Sequence, residues 1–389
     1  MSDCKYIIVG SGFSGSVLAE RIAARLNEKV LLIEKRGHIG GNCYDYKNEN
    51  KIIIHKYGPH LFHTNNKEVF DYLSKFTKWS NYIHKVLAYI DGVKIPLPFN
   101  FNSINKLFKP DKADKIKKKL LLHYKENTKV PIFELLENDD EDLKYIANFI
   151  YEKIFLNYTI KQWGKCPEKI DKSVSARLPV FIGYDDRYFS DEYQGVPLNG
   201  YQELFKNMLS QPNIKLLLNT DFQNICSIKE DKIYIYGKEY KGRLIYTGPI
   251  DELFGYKYGR LEYRTVNMEF EELETKYFQE SAVVNYPNDY DFTRITEFKH
   301  IHPIEIGTDK TIILKEYPKD AVSYEDIRYY PFFTKESAEL YDKYKNLAKG
   351  YDNLILLGRL AEYKYYDMDD VVERALEVYK KEQNEYGNL

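Results

Sequence analysis

The sequence predicts a mixed α/β fold, on three observations. A strand, a glycine turn, a helix and a second strand follow one another within the first 34 residues. A mostly helical stretch then runs from Asn102 to Trp163. Strand-like segments dominate from Leu261 to Pro318, after a strand ending at Gly248. A nucleotide-binding unit of Rossmann type, interrupted by a helical domain and an antiparallel β-sheet domain, accommodates all three. The discontinuous nucleotide-binding domain is read as 1–85, 195–255 and 340–389. The helical domain is read as 100–165, and the sheet domain as 86–99, 166–194 and 256–339.

Each element has a local reason. Lys5 to Gly10 (KYIIVG) is a short apolar run closed by glycine, which suits a buried parallel strand. Ser14 to Leu26 places Val17, Leu18, Ile22 and Leu26 on one helical face. Lys29 to Glu34 (KVLLIE) repeats the buried-strand pattern. Val86 to Pro98 reads as a hairpin, because Asp91-Gly92 is a favoured two-residue turn between apolar flanks. Gly200 to Leu209 opens at a glycine and reads as a helix. Ile214 to Leu218, Lys232 to Tyr236 and Arg243 to Tyr246 read as strands, and a last helix covers about 368–385.

Composition narrows the function classes. With 43% apolar and 30% charged residues the chain is an ordinary globular protein, and a net charge of -2 gives no field to recruit nucleic acid or an anionic membrane. The lysine-rich stretch at 112–119 has no interleaved aromatics and reads as a solvated helix face. No apolar run approaches the roughly 20 residues that span a bilayer. The N-terminus lacks the pattern of a signal peptide, and Cys4, Cys43, Cys166 and Cys226 match neither a zinc nor a CxxC spacing. These features place the chain in the cytoplasm. The eight histidines and the acids show no metal-ligand spacing, so no metal site is expected.

The cofactor signal begins at Gly10-Ser11-Gly12-Phe13-Ser14-Gly15, a GxGxxG turn in its confirming context between strand and helix. Its backbone N–H groups and the helix N-terminus suit a pyrophosphate. Glu34, ending the second strand, suits a ribose hydroxyl and repels a 2′-phosphate, which disfavours NADP. Lys35 to Asn42 adds a second glycine pair, Gly40-Gly41. That run resembles the extended FAD fingerprint of glutathione-reductase-like and amine-oxidase-like flavoproteins, and Ile245-Tyr246-Thr247-Gly248 resembles their returning strand. FAD is the expected cofactor.

Further blocks are more specific. His55 to Thr64 (HKYGPHLFHT), Tyr158 to Gly164 (YTIKQWG), Arg187-Tyr188-Phe189, Tyr193-Gln194-Gly195 and Leu261 to Arg264 occur in order. Thr293 to Glu297 (TRITE), Lys315 to Pro318 (KEYP) and Gly358 to Met368 (GRLAEYKYYDM) follow. Across nearly the whole chain these blocks resemble the bacterial UDP-galactopyranose mutases. The resemblance implies an isomerase that interconverts UDP-galactopyranose and UDP-galactofuranose through an adduct of the sugar on N5 of reduced FAD, without net redox change. A role in making galactofuranose for cell-surface polysaccharide, and a homodimer, are implied by the same analogy.

The resemblance also implies site residues. Arg177 and Arg294 would hold the diphosphate, for which paired guanidiniums are suited. Tyr188, Tyr317 and Tyr365 would contact substrate, and Tyr158 and Trp163 would lie on the uridine side. His60 would tune the flavin. Arg177, Arg294, His60, Tyr317 and Tyr365 are the catalytic set. Asp367 would serve both substrate and cofactor. Gly10, Gly12, Phe13, Ser14, Gly15, Glu34, Lys35, Gly41, Asn42, His63, Thr247, Arg359 and Met368 complete the cofactor set. His38 and His55 are read as structural.

The pattern departs at His84, where the family has asparagine, and over 105–145, which match loosely. A mutase acting on UDP-N-acetylgalactosamine therefore stays open. So do an FAD-dependent oxidase of amine-oxidase type, which leaves the two arginines unexplained, and a nucleotide-sugar sensor without activity.

Overall fold

The computed structural model of the chain describes residues 4–165, 179–229, 231–302 and 307–386. A five-stranded parallel sheet has Tyr6–Val9 at its centre. Val30–Ile33 and Arg243–Tyr246 flank that strand, with Ile214–Leu217 and Leu354–Leu356 at the edges. Helices cover one face and a small three-stranded sheet within 226–239 packs on the other, so YIIV and VLLI are apolar without alternation. Strand order reverses at Tyr6–Val9, and a crevice opens there beyond the carboxyl ends of the strands. Phe13–Arg21 is α-helical, and a wider π-helical turn, Ile22–Leu26, finishes the element predicted as one helix. Leu354–Leu356 was not foreseen, because three residues are too few to show a period.

The second sheet has seven strands, in the order Tyr330–Pro331, Tyr263–Leu273, Thr311–Asp320, Arg294–Glu297, Val283–Asn285, Val86–Ile90 and Val93–Leu97. Its pairings are antiparallel, as expected, but for the parallel pair of Val283–Asn285 against Val86–Ile90. The chain leaves this sheet at Leu97 and re-enters it only at Tyr263, a connection long enough for a parallel return.

The first part of that excursion, up to Trp163, carries five α-helices: Phe101–Leu107, Pro110–His123, Ile132–Leu136, Glu141–Ile150 and Asn157–Trp163. Their apolar faces join the sheet in one core, in which Ile104, Ile116, Leu135 and Ile146 pack with Ala88, Phe99, Phe298 and Leu314. The lysine-rich and acidic stretches face each other, with Lys115 against Asp142 and Lys119 against Asp140 and Asp142. Such pairs near the surface add little stability. No helix among the described residues is long and apolar enough to cross a membrane.

A shared core makes a testable statement about cooperativity. Phe99→Ala should lower stability by about 3–5 kcal/mol. In urea, probes in the helices and in the seven-stranded sheet should report one coincident transition, and two separate midpoints would contradict a common core.

Candidate functional site

The crevice beyond Tyr6–Val9 is a cavity of about 780 Å³. Gly10 adopts φ +98°, a conformation that side chains disfavour, and a Cβ on Gly15 would lie 1.9 Å from the Gly10 carbonyl oxygen. Gly15 itself does not line the cavity: it lets the helix approach the strand, while Gly10, Gly12, Phe13 and Ser14 form the wall. Gly12 caps the Phe13–Arg21 helix without a side-chain acceptor, so the first N–H groups are left for an anion.

The other predicted cofactor residues surround this turn. One Glu34 carboxylate oxygen accepts from the Ser11 N–H and hydroxyl at 3.0 and 2.9 Å, and the other accepts from the Arg36 N–H at 2.9 Å. The second oxygen keeps a lone pair for a ribose. Gly41, Asn42 and Thr247 line the wall, and Thr247 Oγ1 donates to the Val9 carbonyl at 2.7 Å. Lys35 stands at the rim, 57% exposed, 3.9 Å from Glu252. The sequence reading missed Arg36. Its guanidinium lies 4.5 Å over the Tyr57 ring and donates to Asn42, while its Nη1 is buried without a partner. An orphaned cationic donor beside an uncapped helix N-terminus fits a dinucleotide pyrophosphate.

A second cavity, of about 670 Å³, lies over the seven-stranded sheet. Arg294 and Glu316 come from neighbouring strands in direct register and pair at 2.8 Å. Burial opposes the guanidinium charge, but Glu316 outweighs it and holds Arg294 protonated well above its ordinary range. Arg294 Nε, Glu316 Oε1 and Asn285 Oδ1 are buried in this cavity without partners. Tyr158 and Trp163, from the Asn157–Trp163 helix, form one wall. Tyr330 and Tyr365 stack at 5.5 Å and 8° beside Trp163. Tyr188 completes the lining, its N–H donating to the His84 carbonyl at 2.9 Å.

One prediction is overturned. Tyr317 does not line the cavity: its hydroxyl donates to Glu269 at 2.8 Å on the other face of the sheet. Successive strand residues point to opposite faces, so with Glu316 inward Tyr317 must point away. Tyr330 occupies the inner wall instead. Strand alternation was the available signal for this, and for Glu316. Arg177 lies outside the described residues.

The two cavities meet. Asn42, His60, Arg359, Asp367 and Met368 line both. Arg359 is fixed there by the Tyr366 and Tyr329 carbonyls and lies 5.1 Å over the Tyr330 ring. Asp367 and Met368 stand at the start of a 19-residue helix, Met368–Tyr386. His63, expected at the cofactor, faces only the substrate-side cavity, stacked 3.7 Å from Phe189 and 3.2 Å from Asp191. His84 lines the same cavity, its Nδ1 2.9 Å from the Tyr82 hydroxyl.

Asp45, His55 and His302, distant in sequence, form a buried cluster of metal-ligand composition. The His60 N–H donates to His55 Nδ1 at 3.0 Å, which assigns the His55 proton to Nε2, and that nitrogen lies 2.9 Å from His302 Nε2. Asp45 is engaged by the Tyr201 and Gln202 N–H groups at 2.6 and 2.8 Å. The cluster therefore reads as a support for the His60 turn.

Comparison with known proteins agrees with this geometry. A family model described as UDP-galactopyranose mutase matches residues 153–365. One described as an NAD(P)-binding Rossmann-like domain matches residues 8–76. The dTDP-fucopyranose mutase of Escherichia coli is 36% identical over 375 residues, 96% of this chain and 97% of that protein. The UDP-galactopyranose mutase of Mycoplasma pneumoniae is 33% identical over 378 residues, 95% of this chain and 94% of that one. In fold, the chain superposes on a crystal structure of reduced UDP-galactopyranose mutase with a TM-score of 0.73 at 17% identity, over 98% of this chain and 94% of that one.

Burial, reinforced at His60 and His84 by nearby arginines, lowers His60 and His302 to about 4 and His84 to about 3. A base lowered in the folded chain takes up its proton on unfolding. The stability it contributes is complete above its ordinary value near 6.5 and is lost as pH falls toward the folded value. Asp45, pushed up to about 6 by burial, acts in the opposite sense, its contribution disappearing as pH rises through about 6. His84→Phe removes one proton-binding group. Between pH 6.5 and 4.5 the native protein should lose up to about 1.4 kcal/mol per pH unit more than this variant. Denaturant unfolding at a series of pH values measures the difference, and parallel profiles would show His84 to be charged when folded.

Proposed function

The chain belongs to the UDP-galactopyranose mutase family, whose members are isomerases, and on that premise we propose that it interconverts UDP-galactopyranose and UDP-galactofuranose with reduced FAD. The observation that carries this reading is the Arg294–Glu316 pair, whose unused polar atoms face an aromatic-walled cavity opening onto the dinucleotide crevice. Reduced FAD, when bound, supplies a nucleophilic N5, so the reaction is a substitution at the anomeric carbon with no net oxidation.

The chain's own residues do the rest. Arg294 neutralises the diphosphate as it leaves and holds it for return, and Glu316 keeps the guanidinium aimed. Tyr158 and Trp163 bracket the pyrimidine, and Tyr330 and Tyr365 cover the diphosphate and sugar. His60, neutral at physiological pH, adds no positive charge at the junction and can donate or accept one hydrogen bond. The aromatic walls would exclude water from the sugar.

A second substrate reading rests on the relative named dTDP-fucopyranose mutase, which is as similar as those named for UDP-galactose. An aromatic wall stacks thymine as well as uracil, so both nucleotide sugars belong in the assay, with UDP-N-acetylgalactosamine as a third.

Purified protein, incubated anaerobically with each furanose substrate with and without dithionite, should form the pyranose only when reduced. Oxygen-dependent turnover with peroxide release would support an oxidase instead. Arg294→Ala should lower kcat by about 100-fold or more while the flavin spectrum is retained. Trp163→Ala should weaken UDP binding about tenfold by titration. Near-native turnover in the first variant, or native affinity in the second, would remove that residue from its assigned place.

A further inference from the structure

Lys161 lies within the YTIKQWG block, between Tyr158 and Trp163, and lines neither cavity. It lies on the Asn157–Trp163 helix, and its ammonium donates to the backbone carbonyls of Tyr286, Asn288, Tyr290 and Phe292, the last three at 3.1, 3.0 and 3.2 Å. The four acceptors are alternate residues of one curved segment, wrapped around a single cation. Three protons serve four oxygens, so the ammonium acts here as a centred charge. Converging carbonyl dipoles repel one another unless a cation lies between them, which is how carbonyl rings hold potassium.

The ends of the caged segment make this position matter. Asn285 precedes it and Arg294 follows it, and both face the substrate-side cavity. The helix on the other side of the cage carries Tyr158 and Trp163. A second tie joins the same parts, because Asn157 donates to the Asn288 side chain at 3.2 Å, and Asn288 donates to the Lys153 carbonyl at 3.0 Å. From the sheet, Arg264 caps the helix end by donating to the Gln162 and Lys161 carbonyls at 3.0 and 3.1 Å.

We propose that Lys161 is a positioning residue, a tethered monovalent cation that sets the distance between the aromatic nucleotide wall and Arg294. The functional part of this inference rests on the nucleotide-sugar reading of the cleft. The cage rests on geometry alone.

The test compares Lys161→Ala, which opens the cage, with Lys161→Met, which fills it without charge and keeps the packing volume. Hydrogen–deuterium exchange of residues 286–293 is measured without nucleotide, and UDP affinity, KM and kcat are measured on the reduced holoenzyme. Both variants should exchange faster over that segment. UDP affinity should fall about tenfold to a hundredfold, with KM rising more than kcat falls. Ammonium chloride should restore slow exchange and UDP affinity to the alanine variant, whereas tetramethylammonium chloride at equal ionic strength should not. The methionine variant should respond to neither. Native exchange and affinity in both variants would overturn the proposal, as would a loss in the alanine variant that ammonium does not move. If the native protein fails to bind UDP, the substrate reading fails instead, and exchange with its ammonium rescue still decides the cage.

Discussion

Arg294 and Glu316 are two charges that share one cavity, each the other's ion-pair partner. Burial opposes the charge on Arg294, and the Glu316 carboxylate outweighs it. Adjacent strands in register hold the guanidinium against the carboxylate, with polar atoms of both to spare. The surrounding structure serves that arrangement. The seven-stranded sheet provides the register, and the shared core with the helical excursion keeps the sheet rigid. The helix Asn157–Trp163 closes the cavity with aromatic side chains that bring no competing charge.

The same economy of charge governs the junction with the dinucleotide crevice. His60, His84 and His302 are all held neutral by burial. Among the described residues, the positive charge around that junction lies in guanidiniums, Arg294 on one side and Arg359 on the other. The chain from His302 through His55 to the His60 N–H orients that turn by hydrogen bonds alone.

The molecule solves a long-range problem by local means. Residues from opposite ends of the chain must stand in one cleft, and ordinary side-chain packing would leave their separation soft. Buried or partly buried cations bonded to backbone carbonyls recur at these seams: Arg264 at a helix end, Lys161 inside a curved segment, Arg359 beside the Tyr366 carbonyl. Backbone acceptors hold position better than side-chain acceptors, because they have no rotamers to lose.

The nucleotide-binding half was legible from the residues, because its signals are local. The glycine turn, the two apolar strands and Glu34 lie within one strand–helix–strand unit, where spacing alone sets geometry. Trp163, Arg294 and the 358–368 block were legible only through resemblance, and the cavity does contain them. What the tertiary structure decided is which face each side chain takes. Glu316 and Tyr317 are neighbours in one motif, but strand pleat sends the first into the cleft and the second to Glu269. Tyr330, from an edge strand with no motif around it, holds the inner position. The parallel strand pair, the Asp45–His55–His302 cluster and the Lys161 cage were also out of reach. Each joins residues more than 100 positions apart, and no periodicity along a chain encodes a contact that only folding brings together.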